Sequence, residues 1–165
     1  MSQVGVPTNL TTYNLALKAC RNSEAVQQAD RILASMAAAG VAPNRRTFAG
    51  VLRACRYSRD WRRAIDVFRD MEANHLAFVD AGMWNCLLEV LSACTAPQST
   101  LDAAAQMAER GFAPTTTTYM ALFQAHATLG DGAAIESVLS SMHAAGKEVM
   151  PKTLVVLAIG YAHGG

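Results

Sequence analysis

Apolar residues along this chain follow two superposed rhythms. The short one steps by three and four: Ala29, Ile32, Leu33 and Met36 fall on one face of a helix. The long one is close to 35. Aromatic residues stand at Tyr13, Phe48, Trp84 and Tyr119, separated by 35, 36 and 35 residues. Met36, Met71, Met107 and Met142 keep the same intervals, as do Ile32, Val67, Ala103 and Val138. Gly5, Gly40, Gly111 and Gly146 hold a further track, in which His75 occupies the remaining slot. Independent tracks on one irregular spacing mark an internal repeat, and a period of this length means stacked supersecondary units. The single extra residue falls between Met71 and Trp84, near Phe78-Val79-Asp80.

Each unit reads as two helices. In the first, Leu15, Leu17 and Cys20 follow Tyr13 on one helix, Arg21-Asn22-Ser23 turns the chain, and Ala29 to Met36 lie on the second. Gly40-Val41-Ala42-Pro43-Asn44 closes the unit. Glycine just past a helix end takes the left-handed conformation at little cost, and proline soon after prevents continuation. Gly111-Phe112-Ala113-Pro114-Thr115 repeats that close. Thr95-Ala96-Pro97-Gln98-Ser99 is the expected internal turn of the third unit, and Gly130-Asp131-Gly132 that of the fourth. The expected repeats are 10–44, 45–80, 81–115 and 116–150. Residues 1–9 read as the tail of a preceding unit and 151–165 as the first helix of a fifth. A unit buries its apolar face only against its neighbours. Leu154, Val155, Val156, Leu157 and Ile159 near one end therefore imply further repeats or protein partners capping the array.

Composition strengthens the helical reading. Of 165 residues, 31 are alanine, the best helix former, and only 7% are aromatic, which argues for an all-α fold. With 52% hydrophobic residues the chain can bury a core. No apolar run reaches the roughly 18 residues of a membrane helix. Cys20, Cys55, Cys86 and Cys94 form no CxxC pair and have no histidine at metal spacing, so buried free thiols are expected rather than disulfides or a metal site. Met1-Ser2-Gln3-Val4-Gly5 carries neither a signal core nor an arginine-rich presequence. Either the chain is a mature or excised piece, or it needs no import signal. A P-loop, GxGxxG, HExxH and a serine/histidine/acid set are all missing, and His75, His126, His143 and His163 are scattered. His126 holds the slot of Cys20 and Cys55, a position expected in the interhelical core. The chain is expected to be non-catalytic, with no cofactor, metal or small-molecule substrate.

Thr12-Tyr13-Asn14, Thr47-Phe48, Trp84-Asn85 and Thr118-Tyr119, with Gly40–Asn44 and Gly111–Thr115, resemble the pentatricopeptide repeat family over nearly the whole chain. The methionine 23 residues after each aromatic and the 35-residue period add to the likeness. The resemblance implies a right-handed superhelical solenoid of antiparallel helix-turn-helix repeats, with first helices lining a concave groove. It also implies single-stranded RNA as ligand, read at about one base per repeat. The implied setting is organellar, mitochondrion ahead of plastid, in RNA processing, stability or translation. A structural subunit of a large assembly such as a ribosome, holding protein or folded ribosomal RNA, is the alternative.

The family reads bases with the residue after the aromatic and the last residue of the unit. Here the pairs are Asn14 with Asn44, Ala49 with Asp80, Asn85 with Thr115, and Met120 with Met150; a fifth would begin at Val155. Asn14 with Asn44 would favour a pyrimidine, since an amide offers both donor and acceptor. Alanine and methionine make no strong side-chain hydrogen bond, so the second and fourth repeats depart from the pattern. The base-packing position, usually aliphatic, holds Thr11, Arg46, Gly82, Thr117 and Lys152. Asn44 and Thr115 are also explained as helix caps alone, and Asn14 and Asn85 as solvated polar positions.

Net charge is only +1, which excludes uniform basicity but hides an asymmetry. Residues 1–75 carry eleven Lys and Arg against six acids; residues 76–165 carry three against seven. Lys18 with Arg21, and Arg53 with Arg56, are i, i+3 pairs at equivalent repeat positions and align into one stripe. The stripe, with Arg46, reads either as a phosphate-contacting patch or as a solvated face with local salt bridges. It ends where Glu89 and Gln124 take the equivalent positions. Arg59, Arg62 and Arg63 face elsewhere, with Asp60, Asp66 and Asp70 as expected partners.

Overall fold

A computed structural model of the chain describes residues 9–148. The expected fifth unit at 151–165, with Lys152, Val155 and His163, lies outside the described residues, as do Met150 and residues 1–8. Two compact bodies divide at Phe78/Val79. In the N-terminal body, α1 (Leu10–Ala19) and α2 (Ala25–Ala38) form one antiparallel hairpin, and α3 (Arg45–Ser58) and α4 (Trp61–Asn74) a second. The C-terminal body repeats this with α5 (Ala81–Ala93), α6 (Pro97–Glu109), α7 (Thr116–Leu129) and α8 (Gly132–Ala144). The described residues contain helices and turns but no strand. This is an all-α helical repeat solenoid.

Each body is built by the residues that set the period. Tyr13, Phe48, Trp84 and Tyr119 are all buried, as are Met36, Met71, Met107 and Met142. The aromatic enters from the first helix and the methionine from the second, and in the fourth hairpin Tyr119 and Met142 join one buried cluster. Burying a side chain of this size contributes about 1.5–3 kcal/mol. In the N-terminal body α3 packs against α1, α2 and α4, so two first helices lie side by side. In the C-terminal body α7 packs in the same way on α5, α6 and α8. Small residues permit this closeness: a Cβ at Gly50 on α3 would stand 3.0 Å from Leu17 Cβ on α1.

The helix ends follow their sequence signals. Asn9, Asn44, Asp80 and Thr115 each cap a first helix, the side-chain oxygen accepting from the third backbone N–H. At Gly40 the chain enters the left-handed region (φ 66°), and Val41 N–H closes back on the Met36 carbonyl at 2.9 Å. The same closure joins Phe112 to Met107 and Lys147 to Met142. The methionine track therefore marks a turn as well as a core position. After α4 the slot belongs to His75, with φ −139°. A 3₁₀ turn at Leu76–Phe78 takes up the extra residue, and the His75 ring stacks on Phe78 with centroids 5.7 Å apart and packs on Phe48 at 5.1 Å.

One turn is shorter than expected. Pro97, Gln98 and Ser99 lie inside the first turn of α6, and the reversal occupies Cys94–Ala96 with Thr95 at φ 52°. Proline at the first helical position gives up an N–H that would have no intrahelical partner there. Its presence in a turn-like run was a helix start.

Candidate nucleic-acid interface

Asn14 is the fifth residue of α1, and Asn44 caps α3 beside it. Packing of α1 on α3 brings the two amides together: Asn14 Nδ2 donates to Asn44 Oδ1 at 3.4 Å. Between them stands Thr47, fully buried, whose hydroxyl donates to Asn14 Oδ1 at 2.8 Å. Asn44 Oδ1 accepts from Thr47 N–H at 3.0 Å, and Asn44 N–H donates to Thr47 Oγ1 at 3.1 Å, completing a capping box. Asn44 is thus a cap and a neighbour of Asn14 at once. Asn14 is half-buried and hydrogen-bonded, which corrects its reading as a merely solvated position.

The pair opens onto a cleft of about 450 Å³ between α1 and α3. Lys18, Arg46 and Arg53 line it together with both asparagines, and no carboxylate does. All three cations are exposed. Leu15, 62% exposed, and Ala49 add an apolar patch at the same wall. Arg21 and Arg56 lie one turn further along and outside the cleft lining. Arg21 Nε donates to the Lys18 carbonyl at 3.2 Å, closing the end of α1.

In the C-terminal body the equivalent arrangement survives without its cations. Asn85 Oδ1 accepts from Thr115 Oγ1 at 2.9 Å and from Thr118 Oγ1 at 3.2 Å. Thr115 caps α7 in a second capping box. The slots of Arg53 and Arg56 pass to Glu89 and Ser92, then to Gln124 and Ala127, and the Ser92 hydroxyl donates to Gln124 Oε1 at 2.7 Å, so this face holds an exposed carboxylate and neutral groups but no cation. Met120 packs against the Tyr119, Phe123 and Ile135 cluster.

The Arg63 guanidinium pairs with Asp30 of α2 at 2.7 Å, a partner not anticipated from the sequence, while the nearby Asp66 charge adds to its stabilisation. Asp60 is the cap of α4, and Asp70 accepts from Asn74. The Asp30 contact holds the Arg63 guanidinium charged, above its ordinary range. Burial pushes the Cys20 thiol up, and burial with the nearby Asp60 charge pushes Cys55 up to about 12. Both thiols are held neutral. His126 is half-buried, with Nδ1 3.8 Å from Asp131 Oδ2. Among the described residues no three His, Cys, Asp or Glu side chains are grouped to hold a metal, and no helix is long and apolar enough to cross a membrane. In the sequence Thr47 and Thr118 stand out only as family markers. Their position three residues after a capping residue could have exposed them as partners of the asparagines.

No curated protein sequence matches the chain. The family model described as the pentacotripeptide-repeat region of PRORP matches residues 1–95 and again 50–155. The chain belongs to the pentatricopeptide repeat family. Among solved pentatricopeptide repeat structures it is similar to the maize protein PPR10 in complex with an 18-nt psaJ RNA element, at 25% identity and a TM-score of 0.84. That match covers 98% of this chain and 23% of PPR10, so the chain spans under a quarter of that relative's length. It is also similar to nuclear proteinaceous RNase P 2 (PRORP2) from A. thaliana, at 16% identity and a TM-score of 0.77 over 97% of this chain and 36% of that one. The pentatricopeptide repeat domain of Arabidopsis thaliana protein-only RNase P 1 (PRORP1), in complex with tRNA, matches at 18% identity and a TM-score of 0.74, over 96% and 83% of the two chains.

Proposed function

We propose that this pentatricopeptide repeat chain is a non-catalytic binder of single-stranded RNA, using the α1/α3 cleft as its principal contact. The observation that carries the reading is the company the two asparagines keep. A hydrogen-bonded amide pair opens into a cleft with Lys18, Arg46 and Arg53 and no carboxylate. Amides read a base edge, and cations beside them neutralise the flanking phosphates. Asn85 with Thr115 forms a second reading step without cations, and Arg21 and Arg56 extend the basic path past the cleft. Residues 10–44, 45–80, 81–115 and 116–150 act as the repeat units. Family membership supports an organellar role in RNA processing, stability or translation, with the mitochondrion placed ahead of the plastid on resemblance alone.

Ultraviolet crosslinking of the chain to a uridine-rich single strand tests this. Crosslinked peptides are expected from α1 and the start of α3. Crosslinks confined to α2 and α4, where Arg31 and Arg62 are exposed, would contradict it. The second reading, a structural subunit of a large assembly such as a ribosome, is favoured by Ala49 and Met120, which leave two repeats without a reading amide. In that reading, protein partners or further repeats cap the ends. It predicts co-sedimentation with a large particle after nuclease treatment.

A further inference from the structure

Both reading asparagines are held by hydroxyl groups from the repeat that follows them, and these contacts decide which way each amide faces. We propose that Thr47, and Thr115 with Thr118, are positioning residues that pin the Asn14 and Asn85 carboxamide oxygens inward, so that each repeat presents only N–H donors to a base. The proposal rests on the RNA-binding reading above and adds a specificity device to it.

The hydrogen-bond inventory fixes the orientation. Thr47 Oγ1 accepts the Asn44 N–H at 3.1 Å, which leaves its own proton to give. Asn14 Oδ1 at 2.8 Å is the nearest acceptor; Asn44 Oδ1, at 3.1 Å, already takes the Thr47 N–H. Turning the Asn14 amide over would set its oxygen against Asn44 Oδ1, replacing an attraction at 3.4 Å with a repulsion. In the C-terminal body Thr115 Oγ1 accepts the Thr118 N–H, and Thr118 Oγ1 accepts the Thr115 N–H. Thr115 and Thr118 Oγ1 lie 3.2 Å apart and one can donate to the other, but the hydroxyls also converge on Asn85 Oδ1, at 2.9 and 3.2 Å, and the shortest of these contacts is Thr115 to Asn85; Met107 Sδ is a weaker acceptor for Thr118 at 3.8 Å. An amide nitrogen in that place would face the Thr115 donor with no lone pair to offer.

Thr47 and Thr118 are 0% and 2% exposed, so these two hydroxyls are shielded from water on the donor side. Threonine stands at this register position after Asn14 and after Asn85, and also at Thr153 after Met120, which has no amide to orient; after Ala49 the same position holds Met83.

A donor-only reader favours bases with more acceptors on the Watson–Crick edge. Cytosine and uracil each offer two there, adenine and guanine one each. An amide free to turn would offer its oxygen as often as its nitrogen and lose that preference. The downstream threonine would therefore set selectivity without touching RNA.

The test compares affinities of the full chain for oligo(C), oligo(U) and oligo(A) of equal length, in wild type, Thr47→Val, Thr47→Ser and Asn14→Ala. Thr47→Val should cut the pyrimidine-over-adenine ratio about threefold to tenfold, the value of one neutral hydrogen bond, and Thr47→Ser should keep the ratio. If Thr47→Val keeps the ratio while Asn14→Ala loses it, the reading stands and the pinning is overturned. If Asn14→Ala also leaves the ratio unchanged, Asn14 does not read a base and both fail. Should Thr47→Val not fold, nuclear magnetic resonance of the wild-type carboxamides decides. Order parameters near the rigid value of about 0.85 support pinning, and values below about 0.6 overturn it.

Discussion

Arg59 and Thr95 sit in the left-handed backbone region at φ 55° and 52°, at the turns after α3 and α5. Gly130 holds the corresponding turn after α7. A β-branched side chain pays most in that region, so Thr95→Gly is expected to stabilise the chain by about 1 kcal/mol, read as a higher denaturant midpoint with an unchanged slope. The mirror change, Gly40→Ala, should cost about 1 kcal/mol. A Cβ there meets nothing within 4 Å, so the loss would be backbone strain without a clash. Cys55 gives a pH prediction. Its folded thiol is raised from an ordinary 9.0 to about 12, so both states are protonated below pH 9 and only the unfolded thiol ionises as pH rises further. Stability should fall from pH 9 towards 12, and Cys55→Ala should remove that part of the decline in pH-dependent melts. At this scale the sequence showed which positions to watch. Asn14 and Asn44 were legible as a pair from the family resemblance. Thr47's place between them was not, because a hydroxyl 33 residues from Asn14 reaches it only once α1 and α3 have packed.

Helices were legible because propensity, periodicity and caps agree. Asn44 and Thr115 carry side chains that accept from the third N–H, and the helices begin directly after them. Helix ends were read less well where one residue serves two purposes. Proline in Thr95–Ser99 resembles a turn residue and is the first residue of α6. The slot of His75 shows the reverse case: the sequence located an extra residue near Phe78, and the 3₁₀ turn with its stacked rings is the physical form it takes. The spacing of first helices rests on Gly50. With Leu17 Cβ 3.0 Å from the added Cβ, Gly50→Ala requires Leu17 and α1 to give by a few tenths of an ångström. The gain in helix propensity, about 1 kcal/mol, is outweighed by overpacking of about 1–3 kcal/mol. Thermal melts should therefore show a net loss near 1 kcal/mol. The cleft lining includes Gly50, so RNA affinity should change with it.

Across the whole molecule, the charge asymmetry coincides with the division into bodies. Leu76-Ala77-Phe78 carries no charge, so the eleven cations and six acids of residues 1–75 are those of the N-terminal body. Part of that basicity is paired with acids at the surface, as in the Arg63–Asp30 pair. Lys18, Arg46 and Arg53 remain exposed around the cleft. Pairing partners such as Asp30 were not legible because they lie on a neighbouring hairpin, whereas the stripe was legible because its members repeat with the period. The most direct test of the account is the salt dependence of single-stranded RNA binding, measured by fluorescence anisotropy for wild type and for Lys18→Ala/Arg53→Ala. Each phosphate contact contributes about 0.7 to the slope of log affinity against log salt. The account predicts that the double variant binds more weakly and loses about 1.4 from that slope, while Lys147→Ala in the C-terminal body leaves it unchanged. An unchanged slope in the double variant would contradict it.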